Sequence, residues 1–247
     1  MRGKEDILVV ETAAALADRA AHLFREIVEA AVAARGRSAV ALAGGSTPRK
    51  MHVLLGQDPI SSAIPWNKVH LFWGDERCVP VESPWSNFGC ARKDLLDHIN
   101  IPMENLHPMP GTLPPEEGAS RYEKEVPEVF DLVFLGLGID GHTASLFPGH
   151  PSTAAQEGKR KVIPVRGGAP FAARLTLTFA VLNRARNLVF LVSGKKKAGM
   201  VKSVLEDRDK GLPAAQVHPV SGNMVWILDR DAASLLPQEL LNGTSPR

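Results

Sequence analysis

Short apolar runs, several of them without polar alternation, constrain this chain more than any other feature. They occupy residues 39–43, Val69–Trp73, 132–137, 175–179, 188–192 and 224–228, and Ile7-Leu8-Val9-Val10 is strand-like too. A strand with one wet face alternates apolar and polar side chains, whereas a strand covered on both faces can be apolar throughout. Helical patterns separate several of these runs. Between residues 11 and 35, Leu16, Ala20, Leu23, Ile27 and Ala31 recur at helical spacing, with Asp18, Arg25 and Glu29 on the opposite face. Gly36 follows where a helix-terminating glycine belongs. His22 lies beside Asp18 and Arg25 and reads as a solvated residue rather than a ligand. Further helical stretches fall at 87–99 and 195–205. This alternation predicts an α/β fold with a mainly parallel sheet covered by helices on both sides. There is no internal repeat, and the Pro-rich stretch 108–115 reads as a surface loop, so residues 1–247 are expected to form a single domain.

Composition excludes several function classes. With 247 residues, 44% hydrophobic and 23% charged, the chain can bury a sizeable core. No apolar run approaches the roughly 20 residues that span a bilayer. Met1-Arg2-Gly3-Lys4-Glu5-Asp6 leads straight into the first strand, which is too short for a signal segment, so a cytoplasmic protein without a membrane partner is expected. The net charge of +2 is too small to make nucleic acid the default partner, and any attraction for anions must be local. Cys78 and Cys90 lack metal or redox spacing and read as free thiols. The histidines show no ligand spacing such as H-x-x-x-H, so no metal is expected. Asn242-Gly243-Thr244 matches a glycosylation acceptor, which has no meaning in a chain that is not secreted.

In open α/β sheets, ligands bind beyond the carboxyl ends of the strands, and four strand ends here carry unusual residues. The run 39–43 leads into Gly44-Gly45-Ser46-Thr47-Pro48, where Thr47 can cap a helix and Pro48 can open it. Free N–H groups, two glycines and two hydroxyls make a phosphate cradle without a P-loop lysine; the plainer alternative is a capped turn. The run Val69–Trp73 leads into Gly74-Asp75-Glu76-Arg77. This segment is either a solvated turn or an acid and a guanidinium that hold sugar hydroxyls or developing negative charge. Ser86 beyond it is placed to cap the next helix.

The third strand end contains a literal G-x-G-x-x-G at Gly136, Gly138 and Gly141. A dinucleotide site needs a long helix after it, and Pro148, Gly149 and Pro151 leave no room for one. What remains is Asp140 and His142 on a tight glycine turn, where an Asp can fix the tautomer of a His and raise its basicity. Finally, Arg174 opens a Thr-rich strand, and Ser193-Gly194-Lys195-Lys196-Lys197-Ala198 follows the run 188–192. Three lysines at a helix start oppose the helix dipole; a bound anion would remove the conflict, and an exposed basic turn is the alternative.

Taken together and in this order, these segments resemble the glucosamine-6-phosphate isomerase/6-phosphogluconolactonase family. The block Gly136-Leu137-Gly138-Ile139-Asp140-Gly141-His142-Thr143-Ala144-Ser145-Leu146-Phe147-Pro148-Gly149 is the specific part; the other motifs are individually weak. The resemblance implies a Rossmann-like three-layer α/β/α fold and hydrolysis of 6-phospho-D-glucono-1,5-lactone to 6-phosphogluconate in the pentose phosphate pathway. It implies no metal or organic cofactor. It assigns phosphate binding to Gly45, Ser46, Arg174 and Lys197, with Gly44 and Thr47 in the same cradle, and catalysis to His142, with Arg77 and Asp75 at active-site positions. The isomerase branch carries a Glu five residues after its histidine for sugar ring opening, and Phe147 stands there in this chain. That departure favours the lactone hydrolase over the amino-sugar-phosphate isomerase. A non-catalytic sugar-phosphate sensor is the more distant alternative, disfavoured because the first strand starts near Ile7 and leaves no space for a DNA-binding segment.

Overall fold

The computed structural model describes residues 5–150, 160–166 and 173–242. Met1 to Lys4, Pro151 and the Gly243-Thr244 part of the glycosylation tripeptide lie outside the described residues. The first half runs β1 (Glu5–Val10), α1 (Ala13–Arg35), β2 (Ser38–Leu42), α2 (Ser46–Leu55), α3 (Ile60–Ala63), β3 (Val69–Trp73), β4 (Asp75–Arg77), α4 (Asn87–Asp94), β5 (Leu106–His107) and α5 (Pro115–Glu123). The second half runs β6 (Leu132–Leu135), β7 (Val162–Arg166), β8 (Ala173–Leu177), α6 (Phe179–Leu182), β9 (Asn187–Val192), α7 (Ala198–Leu205), α8 (Pro213–Gln216), β10 (Asn223–Asp229), α9 (Arg230–Ala233) and α10 (Gln238–Asn242).

Seven strands form one sheet in the order β1-β10-β9-β6-β2-β3-β5, and every neighbouring pair is parallel. The Rossmann-like expectation of a mainly parallel sheet with flanking helices holds. Its physical origin is visible in β6, where all four residues of Leu-Val-Phe-Leu are buried. Helix α1 starts at Thr12, whose side chain accepts a hydrogen bond from the Ala15 N–H, and ends at Gly36, whose N–H returns to the Val32 carbonyl at 2.8 Å. Its fully buried Phe24 stacks on Phe134 of β6 at 6.3 Å between ring centroids and meets Trp66 at 5.8 Å. Truncating such a ring to alanine costs about 3–5 kcal/mol. Among the described residues, no helix is long and apolar enough to cross a membrane.

Four local readings are corrected. The run 175–179 does not join the main sheet; it contributes to β8, in a separate antiparallel sheet of order β4-β8-β7. The segment Asp75–Arg77 is strand β4 and not a turn, because it pairs with β8, Asp75 opposite Thr176 and Arg77 opposite Arg174. Gly74 joins the two sheets, its N–H bonded to the Leu42 carbonyl and its carbonyl to the Leu177 N–H, both at 2.9 Å. The helix after the first glycine loop begins at Ser46, with Gly45 and not Thr47 as its cap. Gly45 has φ 99°, a conformation that a residue with a Cβ resists, so the chain turns into the helix two residues earlier than a cap at Thr47 would have it. The helical stretches are also shorter: α4 stops at Asp94 ahead of a 3₁₀ turn at Leu96–His98, and a 3₁₀ turn at Lys195–Lys197 precedes α7.

Candidate active site

Beyond the carboxyl ends of β2, β6 and β9, the following loops converge on a cavity of about 410 Å³, closed on another side by the antiparallel sheet. Gly44, Gly45, Ser46, Thr47, Asp75, Arg77, His142, Arg174 and Lys197 all line it. These residues span more than 150 positions of sequence, and the crossover order of the sheet brings them to one place. Asp140 is not among the lining residues; it stands behind the imidazole of His142.

Among the described residues 139–150 no helix follows Gly141; they make turns and one isolated bridge between Thr143 and Leu146. The turn closes through the Gly138 N–H on the His142 carbonyl at 2.8 Å. A Cβ on Gly138 would fall 2.1 Å from His142 Nδ1 and 2.4 Å from Asp140 Oδ1, so only bare backbone leaves room for the pair. Asp140 Oδ1 lies 2.5 Å from His142 Nδ1 and also accepts the His142 backbone N–H at 3.2 Å. A carboxylate has no proton to give, so Nδ1 carries the hydrogen and Nε2 is left with its lone pair. Partial burial pushes the Asp140 carboxyl up, but the attraction and hydrogen bonds of His142 outweigh it and hold it below the ordinary range. Phe147 packs its ring 4.8 Å from the imidazole.

Three cations face the cavity, and Asp75 is the one carboxylate among the lining residues described. Arg174 is buried, places its guanidinium 5.4 Å above the Phe147 ring and leaves its Nε without a partner. Burial pulls this guanidinium down from its ordinary value, Asp75 opposes that, and Arg77 adds to it. Arg77 donates through Nη1 to the Trp85 carbonyl at 2.8 Å, and its buried Nε also lacks a partner. Lys197 donates to the Leu137 carbonyl at 2.7 Å; burial lowers its affinity for the proton, and Asp140 partly restores it. Of the three consecutive lysines, Lys197 alone is among the described residues that line the cavity. The opening turn of α2 adds N–H groups that the helix itself cannot satisfy, together with the positive end of its dipole. This arrangement suits an anion at one end and a base at the other.

The two acids of β4 have different tasks. Asp75 is buried, and its oxygens accept from Ser145 Oγ at 2.6 Å and from Asn87 Nδ2 at 3.1 Å. Glu76 turns to α4, accepting from the N–H groups of Arg77, Asn87 and Phe88 at 2.7–2.8 Å and from Ser86 Oγ at 3.0 Å. Burial pushes the Glu76 carboxyl up, against those backbone donors. Ser86 also caps α4 through the Gly89 N–H at 2.9 Å. Sequence reasoning missed Asp229, which ends β10, accepts from Ser193 Oγ and from the Gly194 and Ala232 N–H groups, and so anchors the loop that carries Lys197. An acid closing a strand far along the chain carries no local signal. Ser145 was inside the specific block without a role of its own. Among the described residues there is no group of three or more His, Cys, Asp or Glu side chains placed to hold a metal, and Cys78 and Cys90 are free.

Residues 11–226 match the family model described as glucosamine-6-phosphate isomerases/6-phosphogluconolactonase. The chain belongs to this family. Within the family it is 40% identical over 219 residues to a 6-phosphogluconolactonase of Synechocystis, an alignment covering 83% of this chain and 88% of that protein. The 6-phosphogluconolactonase structure from Trypanosoma brucei superposes with a TM-score of 0.86 at 31% identity, over 95% of this chain and all of that one. A monomeric glucosamine-6-phosphate deaminase, 20% identical, superposes with a TM-score of 0.77 over 93% of this chain and 99% of that one, a likeness of fold alone. The family's two named chemistries therefore share this architecture, and the choice between them rests on side chains.

Proposed function

We propose that this chain hydrolyses 6-phospho-D-glucono-1,5-lactone to 6-phosphogluconate, in the cytoplasm and within the pentose phosphate pathway, as one catalytic domain without a metal or organic cofactor. The observation that carries the reading is His142 at the wall of the cavity, backed by Asp140, facing a lining that includes Arg77, Arg174 and Lys197 and one carboxylate, Asp75. The phosphate is held by the first turn of α2 with Ser46, by Arg174 and by Lys197. His142 Nε2 takes a proton from water as the oxygen adds to the lactone carbonyl carbon, and Asp140 steadies the imidazolium that forms. The tetrahedral oxyanion is stabilised by Arg77 or by backbone N–H groups. Collapse breaks the bond to the ring oxygen, which leaves with the proton that His142 acquired, and the new acid ionises. A lactone is an activated ester, so no covalent nucleophile is needed, and no G-x-S-x-G elbow is present.

Phe147 favours this reaction over amino-sugar isomerisation. It places a ring against both His142 and Arg174 at the position where the isomerase branch has a carboxylate. The test is acid release from freshly prepared 6-phosphogluconolactone, measured above spontaneous hydrolysis. Release at the background rate, together with ammonia from glucosamine 6-phosphate, would reverse the choice.

A further inference from the structure

We propose that Ser145 is a positioning residue that holds Arg174 at the cavity wall while keeping its guanidinium from pairing with Asp75. The inference rests on the lactonase reading only for the identity of the anion that Arg174 meets. Ser145 is fully buried, and its backbone N–H is fixed on Thr176 Oγ1 of β8 at 3.2 Å. Its hydroxyl donates to Asp75 Oδ2 at 2.6 Å and accepts from Arg174 Nη1 at 3.4 Å. A hydroxyl has one proton, and with that proton on Asp75 the oxygen can offer Arg174 only lone pairs. The chain of donors therefore runs in one direction, from guanidinium to hydroxyl to carboxylate.

Strand register shows what this arrangement prevents. Asp75 lies opposite Thr176 and Arg77 opposite Arg174, so Asp75 and Arg174 are diagonal neighbours on one face of the antiparallel sheet. Opposite charges so placed in a buried setting attract, and a guanidinium fork fits a carboxylate in bidentate fashion. Yet the Asp75 oxygens go to Ser145 and Asn87. Arg174 keeps its Nε without a partner and lines the cavity. A direct pair would occupy that fork and cancel much of the field an incoming phosphate meets.

The experiment compares wild type, Ser145→Ala and the double variant Ser145→Ala/Asp75→Asn. Binding of inorganic phosphate and of 6-phosphogluconate is read by calorimetry, and KM and kcat are read on the lactone. Ser145→Ala is expected to raise Kd and KM by about tenfold or more, as expected for a compromised charge-assisted contact, and to change kcat far less. The double variant is expected to recover phosphate binding relative to Ser145→Ala, because the competing carboxylate is gone. A merely structural serine would lower the melting temperature without such recovery. Unchanged Kd in a folded Ser145→Ala protein, or a double variant as weak as the single one, overturns the proposal. If Ser145→Ala does not fold, Ser145→Cys, a weaker donor of similar size, must show an intermediate Kd, and a wild-type Kd overturns the proposal equally. Wild type that binds phosphate but turns over no lactone fails the functional reading, while the binding comparison still decides this one.

Discussion

On the parallel-sheet side of the cavity, backbone turns place the functional side chains; on the antiparallel side, strand register places them. Ser46, His142 and Lys197 lie in the segments that follow β2, β6 and β9, each shaped by glycines within a few residues. Arg77 and Arg174 are cross-strand partners whose positions depend on β4 meeting β8, almost a hundred residues later, and on hydrogen bonds to the Trp85 carbonyl and Ser145. A turn fixes a side chain through local covalent geometry. A register fixes it through contacts that exist only once the chain has folded. The first side therefore suits a base whose aim must be accurate, and the second suits buried cations whose charge has to be kept available.

The sharpest test of this division is His142→Asn. A general base contributes roughly 10²–10⁴-fold, so kcat should fall by about that factor while Kd for 6-phosphogluconate stays near wild type. A folded variant with normal kcat would remove the base from the turn side. Arg174→Ala should show the opposite pattern, with Kd for phosphorylated ligands rising by about 10²-fold and kcat less affected. Lys197→Ala is expected to follow with a smaller rise, because Lys197 is on the loop side and less buried. Unphosphorylated gluconolactone should be a poor substrate and nearly indifferent to either change. Equal turnover of both lactones by wild type would remove the phosphate anchor from both sides of the cavity.

A smaller effect concerns the helix that begins the phosphate cradle. His52 on α2 is buried, neither ring nitrogen has a partner, and burial lowers its pKa to about 4, with Asp94 opposing and Arg49 reinforcing. An unfolded chain takes up this proton near pH 6.5, and the native protein refuses it until about pH 4. Stability should therefore be insensitive to this group above pH 6.5 and fall as pH drops through the window. The slope approaches about 1.4 kcal/mol per pH unit, for a loss on the order of 3 kcal/mol. Urea melts at pH 7 and pH 4.5 measure it, and His52→Leu should flatten this part of the dependence. An equally steep loss in His52→Leu would assign the effect elsewhere. The smallest expected effect is none: EDTA should leave turnover intact, since both sides of the cavity act through the protein's own groups. Loss restored by one divalent ion would show that a further component belongs to the site.

The fold class was legible because unbroken apolar runs can hardly be anything but doubly covered strands, and because the pattern 11–35 has the period of a helix. The runs that failed to report their partners are instructive. Residues 175–179 alternate Leu-Thr-Leu-Thr-Phe, unlike the unbroken Leu-Val-Phe-Leu-Val of β9, and β8 pairs antiparallel with β4 and β7, partners that the run does not name. Asp75-Glu76-Arg77 reads as a turn because charge is rare in strands, and it becomes a strand because Asp75 and Glu76 find hydrogen-bond donors in Asn87, Ser86 and Ser145. The Thr47 cap failed by two residues because Gly45 reaches a backbone conformation that a threonine cap does not need.

By itself, then, the sequence determined what depends on neighbours within a few residues: the longer strands of the parallel sheet and the helix α1, the glycine turn that joins Asp140 to His142, and the family block around them. The tertiary structure decided what depends on distant pairing: the second sheet, the separate tasks of Asp75 and Glu76, the anchoring of the Lys197 loop by Asp229, and the place of Ser145 between an acid and a guanidinium. The physical reason is range. Backbone sterics and apolar periodicity act along the chain and leave a trace in it, whereas a hydrogen bond between residues 75 and 145 leaves no trace until folding has removed the water between them.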